Sequence, residues 1–108
     1  MNSSTFNTIV EEQMERCKSV LLKKKEEYNV NADDDRLSHF KKVANLIGES
    51  QNYAIFTMMA KHLVSISDMC ISDEQYTEER WNEKITDAIN YLCILRASIE
   101  ETGVAKDE

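Results

Sequence analysis

No proline occurs in the 108 residues of this chain, and glycine occurs only twice, at Gly48 and Gly103. Many short strands need many turn-formers; long helices joined by short connections do not. Each glycine follows a stretch with helical apolar spacing, where a helix C-terminus favours a residue tolerant of left-handed backbone. The length suits one domain with a thin core, so association with further copies would help to bury apolar surface.

Helical spacing is clearest in WNEKITDAINYLCILRASI, residues 81–99. Trp81, Ile85, Ala88, Leu92, Leu95 and Ile99 recur every three or four positions, the period of one helix face. The opposite side begins polar with Glu83, Asp87 and Asn90 and turns apolar at Ile94 and Ala97. A helix apolar on two sides is buried on two sides. This segment therefore reads as a central helix that directs Glu83, Asp87 and Asn90 at a cleft or a second subunit.

The remaining chain divides into three more helices, giving an all-α, four-helix domain with helices over about 5–28, 35–47, 52–71 and 77–102. The ordered core spans about 5–102, and the tail 103–108 is expected to fray. Ser3, Ser4 or Thr5 caps the first helix, whose inward stripe is Phe6, Val10, Met14, Cys17, Leu21, Lys24 and Tyr28. Glu11, Glu12 and Glu15 point away from it, and the basic run 23–25 complements the helix dipole. NVNADD, residues 29–34, reads as a turn, and Asp34 or Asp35 caps the second helix. That helix carries Leu37, Phe40, Val43, Ala44 and Ile47, with Arg36 in its first turn on the apolar side. The third helix aligns Ile55, Met59, His62, Ile66 and Met69, with Phe56, Leu63 and Cys70 beside them. Thr77 caps the fourth, with Glu78 and Glu79 in its first turn.

Charge and cysteine usage narrow the function classes. Twenty acidic against thirteen basic residues give a net charge of −7, which excludes general binding to nucleic-acid backbones. Cys17, Cys70 and Cys93 are odd in number and lack metal-ligand spacing. They read as reduced, buried thiols of a cytoplasmic protein. The longest apolar runs fall short of a membrane span, and MNSSTFNTIVEEQ has no signal-peptide core. No P-loop, GxGxxG, HExxH or GxSxG pattern is present, and Asp33–Asp35 lacks the glycine and distal glutamate of a calcium loop.

Four polar groups fall on or beside inward stripes: Lys24, Tyr28, Arg36 and His62. A buried cation needs an anionic partner. That partner is either internal, with Glu83 or Asp87 meeting Lys24 or Arg36, or a ligand phosphate, for which Arg offers a bidentate fork. His62 alone on an apolar face reads first as a hydrogen-bonded core histidine. Glu83 and Asp87, one turn apart, suit Mg²⁺ only if waters or a ligand's phosphates complete the shell.

Four pieces of the chain, in order over about residues 17–99, resemble small all-α phage and prophage proteins: the nucleotide-modification-associated domain and related uncharacterised families near the MazG-like nucleotide pyrophosphatases. Lys25-Glu26-Glu27-Tyr28 resembles the family's K-x-[KED]-Y element, with Asn29 where a glycine often follows. Residues 40–48, FKKVANLIG, resemble the next helix. Met58-Met59-Ala60-Lys61 resembles the one after it, with Ser65 near the usual basic position and His62 standing in for it. Asp87-Ala88-Ile89-Asn90-Tyr91, preceded by Glu83, resembles the D-x-x-[NG]-Y element.

The resemblance implies a MazG-like bundle and nucleotide-related phage biology in the host cytoplasm. MazG-like enzymes hold Mg²⁺ between two facing acidic pairs. Glu12 and Glu15 have the spacing of a second pair but face outward, so turnover is not the leading expectation. That expectation is capture of a phosphorylated nucleotide, such as a host defence signal, by a homo-oligomer with no membrane association and no required cofactor. Lys24, Arg36, Lys61 and His62 would hold phosphate, Tyr28 or Tyr91 would stack on a base, and Asn90 would line the same side. The alternatives are a Mg²⁺-dependent pyrophosphatase using Glu83 and Asp87, and a helical inhibitor of a host protein.

Overall fold

The computed structural model describes residues 1–28 and 35–105, apart from the side chains of 23–28. It contains four helices: α1 (Ser3–Tyr28), α2 (Ser38–Ile47), α3 (Gln51–Ile71) and α4 (Glu78–Thr102). The described residues contain no strand.

Local chemistry sets most helix ends. Ser50 and Thr77 are N-caps whose hydroxyls accept from the backbone N–H of Tyr53 and Arg80, each satisfying a donor the helix cannot. Gly48 ends α2 at φ 68°, donating to the Ala44 carbonyl, where a Cβ would be strained. Two starts differ from expectation. At α1 the cap is Asn2, whose Oδ1 accepts from the Thr5 N–H at 2.8 Å. Before α2, Asp35 spends Oδ1 on the Leu37 N–H at 2.9 Å, forming an Asx turn. The helix therefore begins at Ser38 with no side-chain cap, and Arg36 lies in the turn ahead of it rather than in its first turn. The predicted turn at 29–34 lies outside the described residues.

α4 sits at the centre, packed against α3 and α1, while α2 packs against α3. α3 and α4 run antiparallel: Gln51 Nε2 donates to Ser98 Oγ at one end, and His62 meets Tyr91 further along. α1 and α4 run in the same direction, since Gln13 Nε2 donates to Thr86 Oγ1 at 2.9 Å and Val20–Leu22 reach Asn90–Ala97 around one cleft. The core is small: Leu37, Phe40 and Ile55 are buried, with Met58, Tyr91, Ile94 and Leu95 against them. Much of the side of α4 that packs on its neighbours is polar, with Thr86, Asn90 and Ser98 all buried. Ser98 accepts from Gln51 and donates to Asn52 Oδ1, so its hydroxyl is satisfied at no exposure, as burial requires.

Several expectations are corrected by this packing. The first half of the α1 stripe, Phe6, Val10 and Met14, is exposed; Gln13, Arg16 and Cys17 are the α1 residues that turn toward α4 there. Ile94 on the back of α4 is covered within the chain by the α2–α3 core, so that face gives no reason for a second subunit, and Leu92 on the expected inner stripe is exposed. Only Cys17 of the three thiols is buried; Cys70 and Cys93 are exposed, because they lie on the outer side of α3 and at the rim of the cleft. The apolar-run criterion also understates α3, which taken as a whole helix is long and apolar enough to cross a membrane. Its inner residues Ala54, Ile55, Met59 and Met69 are nevertheless buried against the rest of the domain.

Candidate functional site

The turn at 35–37, the start of α2, residues 20–22 of α1 and one face of α4 enclose a cleft of about 590 Å³, within the usual range for small-molecule sites. Its wall is mainly apolar, from Leu21, Leu37, Phe40 and Ile94, with Arg36, Asp87, Asn90 and Tyr91 placed among them. The period of α4 puts Asp87, Asn90, Tyr91 and Ile94 on one side, and Arg36, in the Asx turn at Asp35, lines the same cleft.

Asn90 is the unusual member. The residue is 6% exposed, and its Oδ1 is buried with no hydrogen-bond partner. A buried carbonyl left unpaired costs about 1–3 kcal/mol. Arg36 donates from Nη2 to the Leu21 carbonyl at 2.8 Å, which ties the turn to α1. A guanidinium has five N–H donors, and that bond uses one. Arg36 makes no ion pair with Glu83 or Asp87; among the described residues the ion pairs are Lys41 with Asp35 and Glu101, and Arg96 with Glu100. The internal salt-bridge reading of Arg36 is therefore replaced by a backbone bond, because Arg36 precedes α2 and reaches α1.

Tyr91 is held on two sides. His62 lies against its ring at 4.9 Å between centroids, and Phe40 approaches edge-on at 6.2 Å. Burial first, then the Asp87 carboxylate, push the Tyr91 phenol above its ordinary pKa, so the hydroxyl stays protonated across the neutral range. Asp35 is bound by Lys41 at 2.6 Å. That hydrogen bond, with the one from the Leu37 N–H, holds the Asp35 carboxyl below its usual range. The Asp35 bond, then the one to Glu101 at 2.9 Å, raises Lys41. One ammonium thus links the turn, α2 and α4.

The expected site is brought together in part. Arg36, Asp87, Asn90 and Tyr91 share the cleft. His62 is half-buried on α3 and braces Tyr91 instead of lining the cleft. Lys61 is exposed and is not part of the lining, because it sits on the outer side of α3. Glu83 is exposed and also outside the lining, one turn ahead of Asp87. Among the described residues no three His, Cys, Asp or Glu side chains cluster as metal ligands; Glu83 and Asp87 alone would leave most of a Mg²⁺ shell to water or phosphate. Glu11, Glu12 and Glu15 are exposed, on the outward side expected for them. The side chains of Lys24 and Tyr28 lie outside the described residues.

Sequence reasoning did not place Leu37, Phe40, His39 and Cys93 at the cleft. The apolar spacing of α2 marked Leu37 and Phe40 as inward, but which neighbour they meet depends on the α2–α3 turn. Comparison with protein-family models, with curated proteins and with solved structures finds no match for this chain.

Proposed function

We propose that the chain captures a small phosphorylated nucleotide in this cleft and does not turn it over. The observation that carries the reading is Asn90: an unpaired buried carbonyl bordering a cleft that also holds an arginine and a braced tyrosine. A carboxamide offers an acceptor beside two donors, the pattern that reads a base edge. The Tyr91 ring supplies a stacking surface, Asp87 accepts from ribose hydroxyls, and the remaining Arg36 donors face phosphate. The phage setting, the host defence signal and the MazG-like kinship belong to this proposal on the strength of the residue resemblance.

Native mass spectrometry of protein from cells carrying phosphorylated nucleotides tests it. The expected result is a retained nucleotide mass, removed by Arg36→Ala. Apo protein alone, even after millimolar addition of a nucleotide panel, rejects the reading. Incubation with Mg²⁺ and nucleoside triphosphates is expected to release no pyrophosphate above background; release that Asp87→Ala abolishes would establish the pyrophosphatase instead. A second reading, a helix that docks on another protein, is favoured by the exposed Phe6, Ile9, Val10 and Met14 on α1, since exposed apolar patches mark interaction surfaces. Alanine at those four positions separates it: nucleotide retention would persist while partner binding is lost.

A further inference from the structure

The outer face of α3 contributes nothing to the cleft, and it exposes Tyr53, Val64 and Ile71 with smaller residues between them. Tyr53, Thr57, Ala60, Val64, Ser67 and Ile71 recur at alternating steps of four and three, a heptad seam. Tyr53, Val64 and Ile71 are 50%, 61% and 78% exposed, while the opposite side of the helix packs on α2 and α4. The two charged residues of α3, Lys61 and Asp68, are both exposed. They stand one heptad apart on the same flank of the seam, separated by only about 20° around the axis.

We propose that α3 pairs with α3 of a second copy, antiparallel, about a two-fold axis between Val64 and Ser65. Antiparallel pairing sets residues on the same flank opposite each other. In this register Lys61 of each copy faces Asp68 of the other, so one chain's opposite charges become two intermolecular pairs. A parallel arrangement would set Lys61 and Asp68 against the partner's other flank, which carries Phe56, Leu63 and Cys70 and no charge. At the centre Val64 meets its own copy, and Ala60 and Ser67 one turn to either side are small enough for close approach of the backbones. A two-fold interface of this kind is self-complementary and closed. The seam covers a helix of 21 residues, about 31 Å at 1.5 Å per residue. The same face assigns a role to Lys61, which the cleft does not use.

Charge exchange on the full chain tests this by sedimentation velocity between about 1 and 100 μM. Wild type is expected to be a dimer. Lys61→Glu alone and Asp68→Lys alone each place like charges opposite one another twice and should weaken the dimer about tenfold or more. An equimolar mixture of the two variants restores opposite pairs in the heterodimer, and so does the double variant K61E/D68K in the homodimer; both should recover wild-type affinity. Val64→Asp, a substitution at an exposed position, should leave a folded monomer by circular dichroism. Wild type that stays monomeric at 100 μM would overturn the proposal. So would a dimer insensitive to Val64→Asp, or one that the charge exchange does not rescue. Sedimentation of wild type with phosphatidylcholine vesicles, lost in Val64→Asp, would overturn it in favour of a membrane partner.

Discussion

Asn90→Leu separates a group kept for a ligand from one kept for the fold. The residue is 6% exposed and its Oδ1 lacks a partner, so a leucine of similar shape removes an unpaired carbonyl without opening a large cavity. The penalty removed is about 1–3 kcal/mol, and the apo protein should become more stable by that order. For a domain of this size each kcal/mol moves Tm by roughly 4–8 °C. Asn90→Ala removes the same carbonyl but leaves a void, so it should fall below Asn90→Leu in stability. Ligand binding should change in the opposite direction. Loss of a hydrogen bond to the base, with its polar edge left facing leucine, costs about 1–3 kcal/mol, or roughly 5- to 150-fold in affinity. Thermal and urea melts of the apo proteins, each repeated with saturating nucleotide, read both quantities. An apo Asn90→Leu protein destabilised by more than about 1 kcal/mol would mean instead that the carbonyl is satisfied in the fold. A nucleotide-induced stabilisation equal to that of wild type would refute the ligand role.

Arg36→Ala should weaken nucleotide binding by about 1.5–3 kcal/mol, the range for a hydrogen bond to a charged group, measured by calorimetry. Its apo stability should fall only slightly, by about 0.5–1.5 kcal/mol, through loss of the exposed bond to the Leu21 carbonyl. Ser98→Ala should lower stability by about 0.5–1.5 kcal/mol in urea melts, because the Gln51 and Asn52 amides each lose one partner while keeping Glu101 and Thr102. The Lys41 linkage predicts a plateau in stability against pH. The lowered Asp35 carboxyl contributes above its unfolded-state pKa and is lost as pH falls below about 4. The raised Lys41 contributes fully below its unfolded-state pKa and is lost as pH rises past about 10.4. Lys41→Met should flatten both edges, and salt should reduce the effect because the groups are exposed.

The parts of this fold that local chemistry decides were legible in the sequence. Ser50, Thr77, Gly48 and Gly103 end helices by bonds within a few residues, and of the α3 stripe Ile55, Met59 and Met69 are buried and His62 and Ile66 half-buried, while Phe56, Leu63 and Cys70 beside it are exposed. The α1 stripe shows where such reasoning stops. Period says that Phe6, Val10 and Met14 share a face, not that a neighbour covers it, and here the α1–α4 contact uses the polar Gln13–Thr86 bond instead. The cleft follows the same division. Asp87, Asn90 and Tyr91 share one side of α4 by helical period alone. That Arg36 lines the same cleft depends on an Asx turn displacing it from α2, and that Lys61 does not depends on which side of α3 meets α4. Neither relation is local, so neither appears in spacing.

Cys93 borders the cleft, Cys70 is exposed on the outer side of α3, and Cys17 is buried. These positions allow nucleotide binding in the cleft to be read within one molecule. The measurement is the alkylation rate of each thiol, followed by mass spectrometry of peptides, with and without a phosphorylated nucleotide. Nucleotide is expected to slow Cys93 several-fold, to leave Cys70 unchanged, and to have no such effect on Cys93 in Arg36→Ala. Equal rates at Cys93 across a millimolar nucleotide panel, or equal slowing at Cys93 and Cys70, would contradict binding in the cleft.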